Sequence, residues 1–127
     1  MKIKHFTDVE AAQFESDDIK GVSLRILLGK GDGARNFWMR TFEIAPGGFT
    51  PKHSHDWEHE VFVHAGAGEV YGNGKWHPME VGNVLLIPAN EEHQMRNLTD
   101  QPLIFLCLVP SKAPESVASG DNSPESQ

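Results

Sequence analysis

Between about Gly21 and Pro110 the chain alternates between strand-like and turn-like segments. In "VSLRILLG" apolar and polar positions alternate up to Gly29, and in "NFWMRTFEIAPGG" aromatic and polar positions alternate up to Pro46-Gly47-Gly48. A period of two sends successive side chains to opposite faces of a strand, so each segment predicts a strand with one buried face. "HEVFVHAGAGEVYGNGKWHPM" contains Asn73-Gly74, the dipeptide preferred in a tight hairpin turn. "VGNVLLIPANEEHQMRN" and "LIFLCLV" follow, divided by polar turn residues. No stretch keeps a 3.6-residue apolar period for three turns, and only "DVEAAQFE" near the N-terminus suggests a short, weak helix. Short strands spaced by roughly 8–12 residues predict an all-β sandwich or barrel.

Length and composition narrow this picture. A chain of 127 residues fits one domain with a real core, here residues 1–110. From Ser111 to Gln127 the sequence "SKAPESVASGDNSPESQ" has too little apolar surface to offset the entropy of ordering it, and it predicts a disordered acidic tail. The formal net charge of −7 and the lack of any basic stripe exclude nucleic acid as the main partner. "MKIKHFTDVE" has no apolar core of signal-peptide length, and "PLIFLCLVP" is too short to span a bilayer, so no membrane partner is expected. The single cysteine, Cys107, excludes an intrachain disulfide framework and suits a reducing cytoplasm. The sequon "NLT" at Asn97 is then coincidental.

The chemistry concentrates in "HSHDWEHEVFVH", residues 53–64, which holds four of the seven histidines. Read as a strand, His53, His55, Trp57 and His59 share a face with Val61 and Val63, while Ser54, Asp56, Glu58, Glu60, Phe62 and His64 take the other. If the valines face the core, three imidazoles point into it, and one shared divalent metal would satisfy all three. A bend at Asp56-Trp57 would break that parity. The helical His-Glu-x-x-His site of metalloproteases does not apply, because His59 and His64 are one residue too far apart in a β-branched run. Downstream, His93 joins the cluster as a further ligand candidate. His5, His64 and His77 have no partner by spacing and are expected at the surface.

Two segments together resemble the cupin family. Its first motif, Gly, five residues, His-x-His, a Glu and a Gly, matches Gly47, His53, His55, Glu60 or a substitute, and Gly66 or Gly68. Its second matches Gly82, Pro88, His93 and Asn97, with Asn90 standing where the family has Gly. Asparagine is the best non-glycine residue for a left-handed turn, so the exchange is mild. "HSHDWEHEVFV" and "FLCLVP" further resemble a small single-domain subgroup that binds manganese through four histidines, with Asp56 in place of the subgroup's usual proline. The resemblance implies a jelly-roll (double-stranded β-helix) barrel, a homodimer, and His53, His55, His59 and His93 as ligands. It implies Mn(II), although imidazole also suits Fe, Cu, Ni and Zn.

Four neutral imidazoles leave the charge of a divalent ion uncompensated, so such a site favours anions, hydroxide, peroxide or superoxide at its open positions. Arg40 shares parity with Trp38, Phe42 and Ile44 and should point inward, either to pair with a carboxylate or to bind a substrate anion. The resemblance places Phe105 and Cys107 near the metal, and Trp57 beside the ligands suggests a lid. The expected function is an oxidoreductase that activates dioxygen or peroxide to oxidise a small organic molecule, with Arg40, Phe105 and Cys107 shaping the pocket. The alternative is a non-catalytic cupin that binds a small ligand or a metal. An isomerase or decarboxylase needs a general base near the metal, and Glu58 and Glu60 point away by parity.

Overall fold

The structure is a computed structural model in which residues 1–111 and 113 are described. The strands are β1 (Ala12–Phe14), β2 (Lys20–Leu28), β3 (Phe37–Phe49), β4 (His59–Ala65), β5 (Ala67–Gly72), β6 (Lys75–Glu80), β7 (Val84–Ile87), β8 (Gln94–Arg96) and β9 (Leu103–Pro110). All pair antiparallel in the order β6-β5-β8-β3-β9-β4-β7, with β2 on β3 and β1 on β2. Neighbours far apart in sequence, such as β3 with β9 and β4 with β9, give the crossing connections of a jelly roll. The expected all-β jelly-roll barrel is the fold found. The expected tail, from residue 114 on and at residue 112, lies outside the described residues.

Strand β3 ties the barrel together. Phe37–Ile44 pair along β9, whereas Phe49 pairs with Arg96 of β8. The chain turns this corner at "APGG", residues 45–48, where the register against β2 slips between Ile44 and Phe49. Gly47 sits at φ +80°, and a Cβ on Gly48 would lie 2.5 Å from the Lys20 carbonyl oxygen. Only glycine allows both that backbone conformation and that approach without strain. The Asn73-Gly74 hairpin forms as expected, with both residues at positive φ.

Alternation along β3 and β9 builds the core. Trp38, Phe42 and Ile44 from β3 meet Leu103, Phe105, Cys107 and Val109 from β9, and the Phe42 and Phe105 rings stack with centroids 5.3 Å apart. Arg40 lies on this inward face and is fully buried.

The N-terminus departs from the helix suggested at "DVEAAQFE". A single 3-10 turn spans Phe6–Asp8, and Ala12–Phe14 extend as a strand along Leu24–Val22 of β2. An isolated helix this short is marginal in water. The edge of β2 offers ladder hydrogen bonds instead, and Phe14 buries its ring.

Candidate metal centre

Two backbone hydrogen bonds join the motifs. His53 N–H donates to the His93 carbonyl at 3.1 Å, and His93 N–H donates back to the His53 carbonyl at 2.9 Å. Regular strand starts only at His59, and the chain bends at Asp56-Trp57. The alternation of covered and exposed side chains nevertheless runs unbroken from His53 to His64. The face predicted from parity therefore survives outside the ladder. His53 and His55 are half-buried, and His59 and His93 are buried.

One ring nitrogen from each of His53, His55 and His93 lies within 4.8 Å of the others, so these three could hold a metal ion. His59 abuts them, its Nε2 2.9 Å from the His55 Nε2 and its ring centroid 5.2 Å from that of His93. Adjacent ligands on one ion with bonds of about 2.1 Å are separated by about 3 Å, so this spacing fits a shared ion. It also fits an N–H···N hydrogen bond.

The outward ring nitrogens favour one tautomer at each of two rings. His93 Nδ1 lies 2.9 Å from the Glu91 carbonyl oxygen and His55 Nδ1 3.4 Å from that of Trp57. A carbonyl only accepts, so each Nδ1 carries the proton and each Nε2 presents a lone pair toward the cluster. Burial disfavours the charged form of His53, His59 and His93. His53 is pushed down to about 4 by desolvation, then by His93, His55 and Arg40. His59 falls far below the ordinary histidine range, through desolvation first and then the Arg40 guanidinium. Desolvation also lowers His93, partly opposed by the Glu91 carbonyl and carboxylate.

Arg40, Phe105 and Cys107 all line the cavity beside these histidines, together with Phe42, Thr50, Ile87 and Met95. The cavity encloses about 20 Å³, room for one water-sized group. Among the described residues no carboxylate pairs with Arg40. Its Nη2 lies 3.3 Å from both His59 Nδ1 and Cys107 Sγ, its guanidinium carbon sits 4.9 Å from the Phe42 ring centroid, and Nε and Nη1 are buried without a partner. Of the two alternatives for Arg40, the inward salt bridge is absent among the described residues.

Several neighbours were not legible in the sequence. Trp57, expected as a lid, is a buried wall whose ring stacks on His55 at 4.1 Å with planes 2° apart. Cys107 Sγ lies 3.1 Å from His59 Nδ1, a contact set by the pairing of β9 with both β3 and β4. Glu58 and Glu60 are exposed, as parity predicts. His5 and His64 are exposed as expected, but His77 is half-buried and hydrogen-bonds the Gly72 carbonyl at 3.0 Å. Asn90 adopts φ +66°, the left-handed conformation expected of it. Asn97 is fully buried: its Nδ2 donates to the Ile44 and Gln101 carbonyls, and its Oδ1 accepts from Thr99 N–H and Oγ1–H. Its motif role is to staple a turn, and it is inaccessible to glycosylation as folded.

The chain is similar over 88% of its length, at 33% identity and a TM-score of 0.83, to the polyketide cyclase RemF of Streptomyces resistomycificus, of which it covers 80%. It is 32% identical over 100 residues to Protein SchB of Streptomyces halstedii, spanning 78% of this chain and 70% of that one. A 42-residue segment, 33% of the chain, is 45% identical to a glucose-6-phosphate isomerase of Thermococcus onnurineus but spans only 22% of that enzyme. Residues 40–109 match the Cupin domain family, more than half of the sequence and the very strands and loops that gather the histidines. On that match and this barrel, the chain belongs to the cupin family.

Proposed function

We propose that this cupin is a metal-dependent oxidoreductase of the four-histidine, manganese-binding kind, oxidising a small organic molecule with peroxide or dioxygen. His53, His55, His59 and His93 would hold the ion. One observation carries this reading: the imidazoles of His53, His59 and His93 converge on a cavity whose only charged lining group, among the described residues, is a fully buried guanidinium with no carboxylate partner. A bound divalent ion would supply Lewis acidity and, if redox-active, electrons for activating the oxidant. Arg40 adds positive charge that attracts an anionic oxygen species and holds it against water. Phe105, Phe42 and Ile87 keep the surroundings of the guanidinium apolar.

The reading includes a cytoplasmic homodimer. Strand β7 closes one end of the sheet, and its exposed Val84 and Leu86, beside Phe62 of β4, support a second copy as the partner.

Metal analysis of untagged protein and peroxide-dependent oxidation, compared with His53→Ala, form the test. Loss of both metal and oxidation in the variant is expected. Full turnover by metal-free protein would overturn the proposal, and tight ligand binding with no turnover under any oxidant would favour a non-catalytic cupin. A second reading, a cyclase, is favoured by the likeness to RemF over most of the chain. Cyclisation needs no oxidant, so turnover of an aromatic polyketide precursor under strictly anaerobic, peroxide-free conditions would select it.

A further inference from the structure

We infer that Cys107 decides which nitrogen of His59 faces the histidine cluster, and thereby whether the site offers three imidazole ligands or four. The inference rests on the four-histidine reading above. A neutral imidazole carries one proton, and the two nitrogens of His59 have different neighbours. Nε2 faces His55 Nε2 at 2.9 Å. Nδ1 lies between Arg40 Nη2 at 3.3 Å and Cys107 Sγ at 3.1 Å. The guanidinium can only donate, whereas sulfur can accept.

Two arrangements satisfy these contacts. In the first, Nδ1 accepts from Arg40 or from the Cys107 S–H, and the proton on Nε2 is donated to His55 Nε2. That lone pair is available because the His55 proton faces the Trp57 carbonyl. Both Nε2 atoms are then engaged with each other, and His59 is no ligand. In the second, the His59 proton sits on Nδ1 and is donated to Cys107 Sγ, which also accepts from Arg40 Nη2 at 3.3 Å. Both Nε2 lone pairs now converge. The change moves one proton within the ring and requires no net gain or loss. Without the sulfur, the Nδ1 proton would face only the donors of Arg40, and the first arrangement would prevail. A histidine ligand usually gives its second N–H to a carboxylate or carbonyl, as His93 does to Glu91. At His59 the thiol sulfur takes that place, which makes Cys107 a positioning residue.

The test uses full-length protein labelled with nitrogen-15 at histidine, and Zn(II) as a diamagnetic probe. Long-range proton–nitrogen spectra should show His59 protonated at Nε2 without metal and at Nδ1 after Zn(II) is added. In Cys107→Ala, Zn(II) affinity should fall about 10- to 100-fold, the range for losing such an orienting partner, with His59 still protonated at Nε2. Cys107→Ser, whose hydroxyl can accept, should recover most of the affinity. Unchanged Zn(II) affinity in Cys107→Ala, or an Nε2 proton persisting on His59 in the Zn(II)-loaded wild type, overturns the inference while leaving the metal site intact. A wild type that binds no Zn(II) overturns the four-histidine reading itself. If Cys107→Ala fails to fold, Cys107→Ser and the wild-type spectra still decide.

Discussion

Arg40 places a permanent positive charge in the barrel with no carboxylate among the described residues to offset it. Taking a guanidinium out of water without full pairing is unfavourable, and the stacking on Phe42 recovers only part of that. Arg40→Met should therefore keep the fold and raise the thermal midpoint by roughly 4 °C, about 1 kcal/mol, while weakening azide binding to the metal-loaded protein at least tenfold. Calorimetry and an azide titration would check both, and a large fall in the midpoint would mean that Arg40 is structural. At the same scale, His93→Ala should lose most of its metal, read by elemental analysis. It removes an imidazole whose proton is already fixed on the Glu91 side. These inward positions were legible because alternation is a local property: counting by two from Val61 and Val63 reaches His59, His55 and His53. The sulfur beside His59 was not, because Cys107 reaches it through the register of β9 against β3 and β4. Nothing within a few residues of His59 encodes that register.

Turns and corners show the same division between local and distant causes. Asn73-Gly74 and Asn90 were readable because their preference for positive φ belongs to the residue itself. The extended N-terminal segment was not, since its stability comes from the edge of β2 and from a pocket for Phe14. Asn97 lies between these cases. Its motif position was visible, but its role required the neighbouring carbonyls of Ile44, in β3, and Gln101. Asn97→Ala should leave buried groups unsatisfied and destabilise the protein by about 2–3 kcal/mol, read as a lower urea midpoint. A change below about 0.5 kcal/mol would remove the staple from the account of the fold. Gly66 is as constrained, because at φ +78° a Cβ would collide with the Pro102 carbonyl.

For the molecule as a whole, the buried histidines tie stability to pH. His53 titrates at about 4 when folded, against an ordinary 6.5 when unfolded. Between those values the unfolded chain binds more protons, so the metal-free protein loses stability as pH falls from 6.5 toward 4. His53, His59 and His93 all act in this direction, because burial lowers each of them. Urea denaturation across this range should show a steadily falling midpoint, and a flat profile would contradict the burial of these rings. Assembly can be examined with Leu86→Lys. On an exposed edge strand it should halve the mass seen by light scattering and leave the β-sheet circular dichroism unchanged. The barrel also contains an optical gauge. Because the Trp57 indole lies flat against the His55 imidazole at 4.1 Å, its excited state can be quenched by a paramagnetic ion on that ring. Trp38 and Trp76 supply a background from the same chain, so occupancy of the centre can be followed as loss of one emission component, without any added dye.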